Sequence, residues 1–392
     1  MEGFIYYTFY REKAQTLELM GFRGGMLMNM FDYLEWRGDL TFDVSEFNDV
    51  DNLILSQIAY VGFKGVIPEA GQRGDISLKN AADYFFQLHT EEELKKDKSF
   101  IAGAPFLMRE AAKTERFGNV RLSKYEEVVD EDEEMQFAAF HAKLPDGTVY
   151  IAFKGTDDTL VGWKEDFNMS FIVPVPSQEE AVTYVNSTVT RMMGKVMFGG
   201  HSKGGNLAIY AAAYAAPRVK KKIIRVYNND GPGFDKNIIK SNDYKQICPL
   251  IKGIVPQHSV VGMLLEHNED YIVVESSQTG LMQHDAASWQ VKGREFVKVD
   301  KLSKESMALN KALRNWINSI DIEERKHFVD TLFGLISASG AKNLSDITKD
   351  RFASANALIK SYNALDKDSR NMIRRLLMSL GGQIGRVRRR KA

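Results

Sequence analysis

The stretch Lys195–Tyr210, KVMFGGHSKGGNLAIY, decides the fold. Lys195–Gly199 reads as a short buried strand, and Leu207–Ala216 is a run of Ala, Ile, Leu and Tyr that Pro217 brings to an end. Between them Ser202 lies two residues after Gly200 and two before Gly204. A serine presented on a sharp strand-to-helix turn draws those two flanking positions together, and a Cβ at either would clash. The spacing predicts a nucleophile elbow, with the Ser202 hydroxyl raised above the sheet edge at the positive end of the following helix. A glycine-rich helix start that Ser202 merely caps is the plainer alternative. A phosphate-binding loop is excluded, because that pattern needs Gly-Lys followed by Ser or Thr, whereas Lys203 is followed by Gly204 and Gly205.

The rest of the chain fits around this turn. Phe137–Lys143 and Thr148–Lys154 are strand-like runs joined by Leu144-Pro145-Asp146-Gly147, a hairpin signal. Gln178–Met193 has helical periodicity, and Lys222–Tyr227, Leu250–Val255 and Tyr271–Glu275 are further strands. The alternation predicts an α/β fold with a mostly parallel central sheet and helices on both faces, as in α/β-hydrolases. Residues 1–300 are expected to form this domain, including a mostly helical N-terminal region (1–118) with segments at Met26–Trp36, Asn52–Tyr60 and Gly103–Phe117. Residues 301–392 are expected to form a helical appendage, with helices at Met307–Ile320, Ile322–Ser337, Ala353–Asn363 and Lys367–Leu380. The acidic run Glu126–Glu134 reads as a solvated face.

The 392 residues suffice for one large domain plus the appendage, or for two domains. Lys plus Arg balance Asp plus Glu to a formal net charge of zero, so no global field argues for nucleic acid. Cys248 is the single cysteine, which rules out an intramolecular disulfide and fits a reducing cytoplasm. Met1–Leu19 is broken by Arg11, Glu12, Lys13 and Glu18 and is not read as a secretory signal, and no run approaches a membrane span. The basic cluster Arg386–Lys391 is either a solvated terminus or a weak contact for an acidic membrane surface or RNA.

A serine hydroxyl needs a base within hydrogen-bond reach, and in α/β-hydrolases acid and histidine follow the serine in the chain. His258, His267, His284 and His327 are the downstream histidines considered. His284, in a loop beyond the Tyr271–Glu275 strand, is favoured. Asp230, at the end of the Ile223–Tyr227 run, is the favoured acid, with Asp285 and Asp235 as alternatives. An oxyanion hole would take the Lys203 backbone N–H and a second donor from the loop after Ile151–Lys154, where Thr156 offers an N–H and a hydroxyl. No metal or other cofactor is expected: Cys248 lacks zinc-site partners, and no His-Glu-x-x-His occurs.

Phe153-Lys154-Gly155-Thr156, then Trp163 and Asp166, then Gly200-His201-Ser202-Lys203-Gly204-Gly205 together resemble the lipase class 3 pattern. The closer likeness is to a bacterial, lipase-like branch of the α/β-hydrolases carried as a domain of unknown function. That branch is similar also in Asn229–Phe234 and in Gln283-His284-Asp285 to Trp289, and the resemblance covers most of residues 20–300. It implies Ser202 as nucleophile, His284 as base, and Thr156 with Lys203 as oxyanion donors. Lys154 stands where those lipases carry Arg. Their acid position corresponds here to Ser259, which cannot serve, and this strengthens the case for Asp230. The expected activity is hydrolysis of an acyl ester or lipid-like substrate through an acyl-enzyme. A thioesterase or amidase with the same triad, and a weakly catalytic fold that binds a ligand or partner, are the alternatives. Phe171–Pro176 and Val260–Leu265 are read as acyl-pocket or lid segments, or as core.

Overall fold

The computed structural model describes residues 28–389 except 97–98, 100, 158, 170 and 339–358. Its centre is a nine-stranded sheet in the order β1-β2-β3-β4-β5-β6-β7-β8-β11. These strands are β1 (Ile76–Ser77), β2 (Arg121–Asp130), β3 (Met135–Lys143), β4 (Val149–Phe153), β5 (Val196–His201), β6 (Ile223–Asn229), β7 (Ile251–Pro256), β8 (Tyr271–Val274) and β11 (Lys298–Val299). A small hairpin, β9 (Val291–Lys292) with β10 (Glu295–Phe296), stands apart. The expectation of a mostly parallel sheet needs correcting. Among the described residues the pairs from β4 to β8 are parallel, whereas β1–β2, β2–β3, β3–β4 and β8–β11 are antiparallel. The sheet is mixed because β2, β3 and β4 are joined by turns too short for a crossover, such as the Asp146-Gly147 turn with Gly147 at φ +84°.

Strand alternation divides the core in two. In β4, Tyr150 and Ala152 enter one apolar cluster while Val149, Ile151 and Phe153 enter the other, and Met197 and Phe198 of β5 split likewise. The first cluster is filled by the N-terminal helices α1 (Met30–Arg37), α2 (Asp49–Ile58), α3 (Leu78–Leu88) and α4 (Ala104–Ala112). The second is filled by α6 (Pro176–Thr188) and α7 (Lys203–Tyr214), which pack on each other. Helices thus cover both faces, the N-terminal ones closing the face that the crossover helices leave open.

Helix α2 is buried on nearly every side, its polar Asp51, Asn52 and Ser56 included. Each of these has a partner, as buried polar groups require. Arg116 grips Asp51 in two-pronged fashion, Nε to Oδ1 at 2.8 Å and Nη2 to Oδ2 at 2.5 Å. Its Nη1 also donates to the Leu40 and Ser45 carbonyls. Asn52 Nδ2 donates to Asn229 Oδ1 at 2.8 Å, and Ser56 Oγ meets Tyr150 Oη at 2.8 Å. Helix α2 is therefore bolted to the strand ends that carry the site.

Helix α5 (Leu160–Asn168) follows β4 and contributes Leu160 and Trp163 to a third apolar cluster. Helices α9 (Ile322–Ser337) and α10 (Lys367–Arg389) complete it through Phe328, Phe333, Met372 and Ile373, and Phe171 packs there too. Helix α8 (Lys304–Asn318) lies against α10. Most of the expected Ala353–Asn363 helix lies outside the described residues, with 359–364 helical. Of the basic cluster, α10 continues to Arg389, and Arg390 and Lys391 lie outside the described residues. No helix among the described residues is long and apolar enough to cross a membrane.

Removing one partner of a buried, hydrogen-bonded ion pair leaves the other charge uncompensated. Arg116→Met is expected to lower unfolding stability by about 3–5 kcal/mol, read from urea denaturation midpoints.

Candidate active site

Ser202 joins β5 to α7 at φ +57°, ψ −133°, outside the regions ordinary residues favour. The flanking glycines make this conformation feasible. A Cβ on Gly200 would lie 2.3 Å from the Gly204 backbone carbon, and one on Gly204 would lie 2.2 Å from the Phe153 carbonyl oxygen. The turn is held by Ser202 N–H donating to the Asn229 carbonyl at 2.9 Å, while Asn229 Nδ2 donates to the Gly200 carbonyl at 2.9 Å. Ser202 is 7% exposed.

Two loops from later in the chain meet this serine. Asp230 follows β6 in the left-handed region at φ +52°, anchored by its N–H on the Ile254 carbonyl at 2.8 Å. Its carboxylate is fully buried and accepts from His284 Nδ1 through Oδ2 at 2.6 Å. The opposite ring nitrogen, His284 Nε2, lies 3.0 Å from Ser202 Oγ. Serine, imidazole and carboxylate form one hydrogen-bonded line built from three strand ends. Among the described residues no group of three or more His, Cys, Asp or Glu is placed to hold a metal ion.

The groups that hold this line were not singled out from the sequence. Ser259 occupies the place where an acid was sought, and its Oγ donates to Asp230 Oδ1 at 2.5 Å. Gly262 closes over the same carboxylate, since a Cβ there would lie 2.1 Å from Oδ1. His201 Nε2 donates to the His284 carbonyl at 2.9 Å, and the two rings stack with centroids 4.6 Å apart. With its proton on Nε2, His201 accepts at Nδ1, and Tyr60 Oη supplies the donor at 3.0 Å. Burial first, and His284 second, push the His201 imidazole well below its ordinary range, so the ring stays neutral. The His284 loop is pinned further by Trp289 Nε1 donating to the Gln283 carbonyl and by His258 N–H donating to Gln283 Oε1, both at 2.8 Å.

Lys203 opens helix α7, so its N–H lacks an intrahelical acceptor. Its side chain, unremarked in the sequence, is fully buried and bonds Glu165 Oε2 at 2.8 Å and the Gln136 carbonyl at 2.8 Å. That ion pair locks the start of α7 to α5 and β3. Thr156 is buried, and its hydroxyl donates to Asp166 Oδ2 at 2.6 Å. The expectation that Thr156 offers both N–H and hydroxyl is therefore narrowed to the backbone N–H. Burial raises the Asp166 carboxyl to about 6. Lys154, in place of the lipase arginine, lies 3.2 Å from Glu127 and 3.1 Å from Asp157.

The alternatives go elsewhere. Asp285 caps its own turn by accepting from Ala287 N–H, and burial raises it to about 6. Asp235 caps a short helix through Asn237 N–H. His267 is tied to Glu269 at 2.9 Å and to the Leu264 carbonyl at 3.2 Å, and His327 Nε2 meets Ser369. Parts of the apolar segments are packing: Val175 is core, Phe171 joins the C-terminal helices, and Met263 packs on Val255, Val273 and Leu302, whereas Val173 is exposed.

A mixed α/β sheet with a strained serine turn, a histidine loop and a buried aspartate defines the class of this chain. It belongs to the Mbeg1-like family, whose model matches residues 111–334, more than half of its length and inclusive of Ser202, Asp230 and His284. The chain is also similar to the crystal structure of M37 lipase, at 16% identity over 45% of this chain and 70% of that one, with a TM-score of 0.31. So slight a likeness bears on neither fold nor activity. No match is found among curated proteins.

His201, and His141, which burial lowers to about 3, remain neutral in the folded protein. An unfolded histidine binds a proton below about pH 6.5. The unfolded state therefore holds more protons there, so these two residues make stability fall as pH drops from 6.5 toward 3. His141→Gln is expected to shrink the difference between unfolding free energies measured at pH 7 and pH 5. In NMR titration the His201 ring resonances should stay unshifted across pH 5–8.

Proposed function

We propose that this chain is a serine hydrolase that cleaves acyl esters, its nucleophile Ser202, its general base His284 and its acid Asp230. The observation that carries this reading is the unbroken line from Ser202 Oγ through His284 to the buried Asp230, at 3.0 and 2.6 Å. Such an arrangement lets the imidazole take the serine proton as Oγ attacks the acyl carbonyl, and return it to the leaving group. Asp230 fixes the proton on Nδ1, so that Nε2 faces the serine with its lone pair, and stabilises the imidazolium that forms. The Lys203 and Thr156 N–H groups would receive the oxyanion. Water then releases the acyl group by the same steps in reverse. Ser259 acts as a positioning residue, neutralising the second lone-pair edge of Asp230.

The choice of ester rests on the resemblance to lipase class 3 in Phe153–Thr156 and Gly200–Gly205. The same three residues would serve thioester or amide cleavage, which differ only in the leaving group. The rival of a purely ligand-binding fold rests on the absent acid at the lipase position and on the added C-terminal helices; against the first ground, His284 has a carboxylate partner in Asp230.

The reading is tested by hydrolysis of a p-nitrophenyl acyl ester series beside acyl thioesters and anilides. Esters are expected to turn over with the highest kcat/KM, and Ser202→Ala should abolish turnover. Asp230→Asn, which tolerates the left-handed backbone, should lower kcat by roughly 10²–10⁴. Ser259→Ala should lower kcat about tenfold, the loss of one hydrogen bond to a charged group, and shift the acidic limb of the pH–rate profile upward, with Ser259→Thr restoring it. Turnover unaffected by Ser202→Ala would exclude the proposal.

A further inference from the structure

A cleft of about 770 Å³ opens between β8, β11 and helix α8. That volume lies within the range of small-molecule sites. Its apolar wall includes Met263, Val273 and Leu302, which pack together. The cations Lys298, Lys301, Lys311 and Arg314 line it, against a single acidic residue, Asp300. Lys298 is paired with Glu295 at 3.1 Å, and Arg314 lies 3.7 Å from Glu266. Lys301 and Lys311 have no ion-pair partner among the described residues. Asn310, also on the lining, is 5% exposed. Its Nδ2 donates to the Ser259 carbonyl at 3.1 Å and to Ser306 Oγ at 3.2 Å. Those two acceptors fix the amide orientation and leave Oδ1 buried without a partner among the described residues.

We propose that this cleft is a binding site for an amphiphilic anion, an apolar chain carrying one anionic headgroup. The chain lies on the Met263–Val273–Leu302 wall. The headgroup is held by Lys301, Lys311 and Arg314. Neither an inorganic anion nor a neutral amphiphile would use both halves of the lining. None of the lining residues is given a catalytic role in the Ser202 reading, although Asn310 reaches the Ser259 carbonyl behind Asp230. A carboxylate head and a phosphate monoester head share the chemistry required.

The test is isothermal titration calorimetry on the full chain carrying Ser202→Ala, so that turnover plays no part. The probes are dodecanoate, dodecyl phosphate, inorganic phosphate and dodecyl maltoside, each below its micelle concentration. One or both of the dodecyl anions should bind at one site per chain, and which of them binds more tightly assigns the headgroup. Inorganic phosphate and the maltoside should bind at least about tenfold more weakly. The double variant Lys301→Glu, Lys311→Glu, at two exposed positions that make no core contact, should raise Kd at least about tenfold. The milder Lys301→Gln, Lys311→Gln pair should fall between. Absence of binding by either dodecyl anion, equal binding of the maltoside, or affinity unmoved by charge reversal would each overturn the proposal.

Discussion

The backbone of Ser202, held at positive φ between a strand and a helix, is the constraint on which the remainder depends. A residue with a side chain does not rest there unless its surroundings enforce it. Here Gly200 and Gly204 touch backbone to backbone, Gly204 leans on the Phe153 carbonyl, and the Asn229 carbonyl takes the serine N–H. These contacts tie β4, β5 and β6 into one register at their C-terminal ends. Asp230, just past the end of β6, meets the imidazole that faces the hydroxyl.

Around this turn several buried polar groups find partners on distant elements. Helix α2 sends Asn52 and Ser56 to Asn229 and Tyr150, and Tyr60, just past its end, reaches His201. On the opposite face the buried Lys203–Glu165 pair anchors α5, and the C-terminal helices α9 and α10 pack on α5 through Leu160 and Trp163. Helix α8 reaches the site from a third side: Ser306 and Asn310 donate to the Ser259 carbonyl, and Ser259 donates to Asp230. Residues beyond 300 are thus in structural contact with the acid rather than suspended from the sheet.

Much of this was legible in the sequence because it is local. Gly-x-Ser-x-Gly between a strand and an alanine-rich helix carries its own steric logic, and the Asp146-Gly147 hairpin and alternating strands are short-range signals. Ser202, Asp230 and His284 could be named because each follows a strand, in an order that a parallel run imposes. What escaped was set by distant contacts. Nothing near Ser259 says that its hydroxyl meets a carboxylate 29 positions away, and the apolar stem of Lys203 gives no hint of a buried partner on α5. The antiparallel half of the sheet was underestimated, since β2 runs into the acidic stretch read as a solvated face, and β1 and β11 are two-residue strands that only their neighbours define. His201 was hidden in plain view, inside the quoted motif, because its role lies in the His284 carbonyl rather than in the serine beside it.

The central claim is that Ser202 is activated by His284 and Asp230. It is tested most directly by fluorophosphonate labelling of the full chain, with the modified residue located by peptide mass spectrometry. The account predicts one adduct per chain, on Ser202, formed in the wild type and lost in His284→Ala. A folded wild-type protein that takes no label, or takes it on another residue, would contradict it.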